Sequence, residues 1–562
     1  MQDFSRRLFG LLAVAVAAIA IAACGGGDDN GDSGQGGDDA SESAPSGRTG
    51  GEATFAYASF PDYLDPALTY TVAGVQSVSV TNLGLLTYKR AKGEEGAQLI
   101  PALAEDMPEV SDDGKTYTFT LREGLKYSDG SPVKASDFEH TIKRVINLES
   151  GGTSFYTSSI VGAEEYLKRG KARGDISGIT ADEETRQITI KLNEPNGQFP
   201  FIIAMWFAGF VPGDTPFENM TKSPPPGVGP YKVTEVRTGR GFTLERNENY
   251  PEIEGLPAGK LDKITVNAVT NDSRAITDVL QNKADYYDEP PSSDALREFR
   301  EQAPERYRGE VTNSTYYFFL NQRVKPFDDV RVRQAVNFAI DKRALARLFG
   351  GLLTPGCNFL PPGMQGYEKI EPCPYGDPKA APNVEKAKQL VKEAGAEGKT
   401  VTVYGNEEEL TRNVTEYLAD VMKQIGLRPQ LRILNGDVYF QTIGNQNTKA
   451  AAGFANWFQD FPHPANFMFL IDGASIQNTN NQNFGNVDDP EINRMLAEAN
   501  KKDIAEAAPE YAAIDRKLVE EAHVVPYGHR VLPFITSDRI DFESALFHPV
   551  LQADFSTFAL KG

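Results

Sequence analysis

Polar and apolar residues alternate from Thr116 to Leu121, directly after an Asp113–Gly114 turn, and again from Gln187 to Leu192. Period-two alternation beside a tight turn predicts strands with one buried face. Between them Ala135 to Asn147 changes period: Phe138, Ile142 and Val145 or Ile146 fall on one helical face. The block from about 85 to 225 therefore reads as an α+β subdomain. Gly227 to Val236, Gly241 to Arg246 and Lys263 to Val269 read as strands, and Asp272 to Gln281 as a helix with Ile276, Val279 and Leu280 apolar. Tyr316 to Asn321 is an aromatic strand. Asp329 then stands as an N-cap before Val332, Ala335, Val336, Ala339 and Ile340 at helical spacing.

The clearest pattern follows. Val384 to Ala394 is a helix closed by Gly395, Thr400 to Tyr404 a strand, Leu410 to Ile425 an amphipathic helix closed by Gly426, and Leu431 to Leu434 a strand. That β-α-β order implies a parallel pair in an α/β lobe. Two more helices are expected, at about 490–508 and 509–523. Two α/β lobes with crossing segments imply a ligand cleft between them.

The first residues speak of compartment. Arg6 and Arg7 precede an apolar run from Leu11 to Ala23, shorter than a bilayer requires. This reads as a secretory signal. It ends Ile21-Ala22-Ala23-Cys24, which resembles the lipobox of bacterial lipoproteins, where the cysteine is acylated. Ser5 to Phe9 resembles a twin-arginine export motif and equally suits an ordinary signal start. Residues 25–50 hold Gly, Asp, Ser and Asn with no branched apolar run, so 24–50 reads as a flexible tether. The remaining chain, about 510 residues, is long enough for two or three domains.

The formal charge is −21, and removal of residues 1–23 takes away two positive charges and one negative, leaving −22. Such a surface argues against nucleic acid and against polybasic membrane binding. Beyond Cys24 only Cys357 and Cys373 remain. An even pair in an exported chain reads as a structural disulfide, here across a Pro- and Gly-rich loop.

A specific resemblance is carried by a series of motifs in order. Leu64-Asp65-Pro66, Pro101 to Glu105, Tyr117 to Gly130, Gly227 to Lys232, Pro326 to Ala335 with Ala339 to Asp341, and Trp457 to Asp460 run through nearly the whole chain. Together they are similar to the family 5 extracellular solute-binding proteins of ABC importers. The resemblance implies an α/β clamshell of the type II periplasmic-binding-protein class. Its first lobe would comprise 51–84, 226–315 and 533–562, with an α+β subdomain inserted at 85–225, and its second lobe 316–532. It also implies a monomer working with permease and ATPase subunits outside the cytoplasmic membrane.

The site residues follow from the same resemblance. In peptide-binding relatives the residue matching Asp460 pairs with the ligand's α-ammonium, and the one matching Trp457 forms a flat wall. Phe458, Phe461, Tyr70, Thr71 and Tyr317 are further candidate contacts. Tripeptide-binding relatives can carry an arginine three residues before the tryptophan. Here that position is Phe454, which cannot receive a carboxylate. Peptides, nickel complexes, haem, sugars and opines are all bound within the family. His463 near Asp460 does not by itself make a metal site, because one histidine and one carboxylate are too few ligands. No GxSxG, HExxH or GxxxxGK[ST] string supports the rival reading, an extracellular hydrolase. No cofactor is called for.

Overall fold

The computed structural model describes residues 47–170 and 174–562. The signal-like start, Cys24 and the tether up to residue 46 lie outside the described residues.

Two large sheets organise the molecule. The first has the strand order Tyr286–Tyr287, Glu52–Tyr57, Lys263–Ala268, Gly241–Arg246, Tyr231–Arg237. Glu52–Tyr57 lies parallel to both of its neighbours. Its Phe55 is fully buried against Tyr286, Phe555 and Phe558. The C-terminal segment thus seals the first sheet with aromatic rings, which bury large area at low side-chain entropy cost.

The second sheet has the order Tyr307–Val311, Val525–Ile535, Ser314–Leu320, Ala452–Phe458, Thr400–Asn406, Arg428–Leu434, with Leu353–Pro355 added beside Val525–Ile535. Thr400–Asn406 and Arg428–Leu434 are parallel and joined by the helix Glu409–Gln424, the β-α-β unit expected from the pattern. Asp329 caps its helix by accepting from the Arg331 N–H. The strand Val525–Ile535 ties the two halves together. Its start pairs with Tyr316–Phe318, its end with Tyr307–Val311, and Thr536 bridges to Tyr286 of the first sheet.

A four-stranded antiparallel sheet, with Thr116–Thr120 and Gln187–Lys191 at its centre, packs with the helix Asp137–Asn147, whose Phe138, Ile142, Val145 and Ile146 are buried. This block is moored by a fully buried ion pair. Arg144 donates to both carboxylate oxygens of Asp65, at 3.0 and 2.9 Å.

Two expectations shift. The last long helices are Pro490–Ala499 and Ile504–Glu520, so the break falls at 500–503 and not between 508 and 509. Asp503 caps the second helix, and Pro509 is accommodated inside it. The strand expected from Gly227 begins only at Tyr231. Gly227 and Gly229 instead lie against the backbone of Thr81 and Val80, where a Cβ would come within 2.1 and 2.3 Å. Close backbone approach, not strand pairing, is their role.

Cys357 and Cys373 are bonded, closing a separation of 16 residues. The same loop is pinned by Asp515, which accepts from the Asn358 side chain and from the Phe359 and Leu360 N–H groups. Burial pushes the Asp515 carboxyl up to about 6 against those three donors.

Candidate ligand cleft

The strand Ala452–Phe458 carries Trp457 and ends in a turn that presents Asp460. Asn466 builds that turn. Its side-chain oxygen accepts from the Asp460 N–H at 2.8 Å and from the Trp457 indole at 3.3 Å, and its amide donates to Asp460 Oδ2 at 3.0 Å. One buried amide therefore fixes both side chains.

The facing wall comes from the segment after Leu64-Asp65-Pro66. Asp62 accepts from the Tyr70 N–H at 2.7 Å and from the Thr71 hydroxyl at 2.8 Å. Thr71 in turn caps the helix Val72–Val78 by accepting from Gly74. These bonds aim Tyr70, whose hydroxyl donates to Asp460 Oδ1 at 2.6 Å across 390 residues of sequence. Trp206 and Phe207 flank its ring. Both oxygens of Asp460 are thus held by neutral donors, and among the described residues no cation is paired with it. Burial raises its carboxyl above the usual range, opposed by the bonds from Asn466 and Tyr70. Beside it lies a narrow crevice of about 20 Å³ lined by Asn82, Thr87, Tyr88, Trp206 and Asp460. The Tyr88 hydroxyl is buried there without a hydrogen-bond partner.

The remaining sequence candidates divide. Thr71 adjoins Tyr70, but its hydroxyl is committed to Asp62 and Gly74. Phe458 is half-buried edge-on to Tyr316. Phe461 is buried edge-on to Phe155 of the inserted block. Tyr317 is not at the crevice, because its ring is buried against Phe359. Phe454 stacks on Tyr439 at 4.6 Å in the core, so an arginine there would have no route to a ligand without repacking. His463 is fully buried between Phe201 and Tyr511, with its Nδ1 accepting from Ala465. Desolvation lowers its ring to about 3, so it is a neutral core histidine. Sequence reading missed Asn466, Trp206 and Tyr88. Asn466 lies six residues after Asp460, but no spacing rule marks such a contact. The other two come from separate segments that only folding brings near.

Two α/β halves joined by crossing strands, with an anionic group held in the cleft between them, define a two-lobed solute-binding protein of the type II periplasmic class. Residues 98–479 match the model of the bacterial extracellular solute-binding proteins, family 5 Middle, and the chain belongs to that family. Its relatives are binding proteins and not enzymes. The periplasmic murein peptide-binding protein MppA of Escherichia coli is 24% identical over 83% of this chain and 85% of its own length. Heme-binding protein A of Haemophilus influenzae is 26% identical over 93% of this chain and 94% of its own. Among solved structures, clavulanic acid biosynthesis oligopeptide binding protein 2 superposes with a TM-score of 0.82 at 25% identity, covering 92% of this chain and 97% of that one.

Proposed function

We propose that this chain is a lipid-anchored receptor that captures a free-amine peptide between its lobes and delivers it to an ABC importer. The carrying observation is Asp460. It is a carboxylate in a water-poor crevice, aimed by Asn466 and Tyr70, with no cation paired to it among the described residues. An α-ammonium supplies the missing charge, and charge-assisted hydrogen bonds in low dielectric are the strong ones. Relatives named for peptides, including the oligopeptide-binding protein OppA of Bacillus subtilis, support the ligand class. The first lobe is taken as 51–84, 226–315 and 533–562, the inserted subdomain as 85–225 and the second lobe as 316–532. Closure about the strands that join them would be driven by the ligand's preference for the closed state. Docking of that state on permease subunits, with ATP hydrolysed by a partner, completes the cycle.

Calorimetric titration tests the amine reading. Acetylation of the peptide's amino group should weaken binding at least about 100-fold, since a neutral amide cannot pair with Asp460. Equal affinity for acetylated and free peptides would remove the amine anchor. Anchoring at Cys24 rests on the Ile21-Ala22-Ala23-Cys24 string. In the native host, Cys24→Ala should move the protein from the membrane fraction to the soluble one and abolish labelling with a palmitate analogue. Retention of both would place the anchor elsewhere.

A further inference from the structure

A second anionic group stands at the end of the first sheet. Asp288 and Glu289 follow the strand Tyr286–Tyr287, at the carboxyl ends of parallel strands in the first sheet. Asp288 accepts the Ala58 N–H, at 2.8 Å, and its own backbone N–H. Glu289 has no hydrogen-bond or ion-pair partner among the described residues. Both are half-buried. Carboxyl ends of strands in open α/β sheets are where ligands bind.

Two paths connect this pair to Asp460. In the first lobe the helix Val72–Val78 starts beside Tyr70. Further along it, Gln76 donates to the Tyr286 hydroxyl, and Ser77 lies within hydrogen-bond reach of Tyr57. From Thr71 to Gln76 the helix rises about 7.5 Å. The Gln76 side-chain oxygen is buried with no donor. In the second sheet Ser314 pairs with Phe458, two residues before Asp460, and its hydroxyl accepts from the Arg530 N–H at 2.9 Å. Arg530 is the cation that acts on Glu289. Its guanidinium bonds to the Leu352 carbonyl and lies over the Phe349 ring, without an ion pair to either acid.

The charges do not balance. Arg530 acts on Glu289 alone, and among the described residues neither Asp460 nor Asp288 is joined to a cation. Burial and mutual repulsion drive the Asp288 carboxyl well above the usual range. Burial raises Glu289 to about 7, with Arg530 opposing. Adjacent carboxylates in a water-poor site favour a second positive group between them. Phe454 and the buried Tyr439 stacked on it bring no added cation.

From this arrangement we infer that the preferred ligands carry two positive charges: a free α-ammonium for Asp460 and a lysine- or arginine-type side chain for Asp288 and Glu289. The inference rests on the peptide reading and specifies its substrate class.

The test is a titration series with tetra-alanine peptides carrying lysine or its uncharged isostere norleucine at each position in turn. For at least one position lysine should bind tenfold or more tighter than norleucine. Glu289→Gln should reduce that preference to threefold or less while norleucine peptides keep their affinity, and Asp288→Asn should act in the same direction. Equal binding of both series to the wild-type protein overturns the second cationic site and leaves the peptide reading standing. So does a preference that survives both substitutions. Failure of every free-amine peptide to bind overturns the peptide reading and this inference with it. The wild-type comparison requires no variant to fold.

Discussion

Asp65→Ala is expected to lower the stability of the protein by about 3–5 kcal/mol. Asp65 and Arg144 are both fully buried. The guanidinium is spent entirely on protein acceptors: two bonds to Asp65, one to the Pro216 carbonyl and one to the Glu218 carbonyl. Asp65 also accepts from the Ala67 and Met220 N–H groups. Removing the carboxylate strands a cation away from water, together with two backbone donors, and the desolvation of that charge dominates the loss. Asp65→Asn should recover only part of it, because the amide restores hydrogen bonds but not charge. The double variant Asp65→Ala/Arg144→Met should be more stable than Asp65→Ala alone, since no unpaired charge remains. Urea unfolding followed by tryptophan fluorescence measures all three. A loss below about 1 kcal/mol would mean that water reaches the pair, as it does in surface ion pairs.

Asp460→Ala should weaken free-amine peptide binding by about 2–5 kcal/mol, roughly 30- to 5,000-fold. The variant removes the anion at that end of the crevice and leaves the ligand's ammonium desolvated without a partner. Asp460→Asn is the sharper probe. It keeps the shape of the group and leaves acceptor and donor atoms for Tyr70 and Asn466, so the melting temperature should hold while most of the affinity is lost. Calorimetry and thermal melting on the same samples separate the two effects. Unchanged affinity in Asp460→Asn would show that hydrogen bonding alone, and not charge, holds the amine.

Legibility differed by element. The helix Asp137–Asn147 and the unit from Thr400 to Leu434 could be read directly, because their periodicity follows from one buried face and one wet one. The break between the last two helices was misplaced, since Asp503 caps the second one and Pro509 is carried inside it. Gly227 and Gly229 misled because alternation says nothing about a neighbouring backbone. Tyr317 and Phe461 were aromatic, and near the right motifs, yet both are packed inward.

By itself the sequence determined the α/β class, the family, the pairing of Cys357 with Cys373 and the candidacy of Asp460. Those features rest on residue type, spacing and the order of motifs, all of which are written along the chain itself. Only the tertiary structure decided that Tyr70 meets Asp460 across 390 residues, that Asn466 locks Trp457 and Asp460 together, and that Asp65 is the buried partner of Arg144. It also decided that Asp288 and Glu289 stand at the end of the first sheet, with no ion pair to either among the described residues. Burial and charge balance depend on what long-range packing brings alongside, and that information is spread over the whole chain.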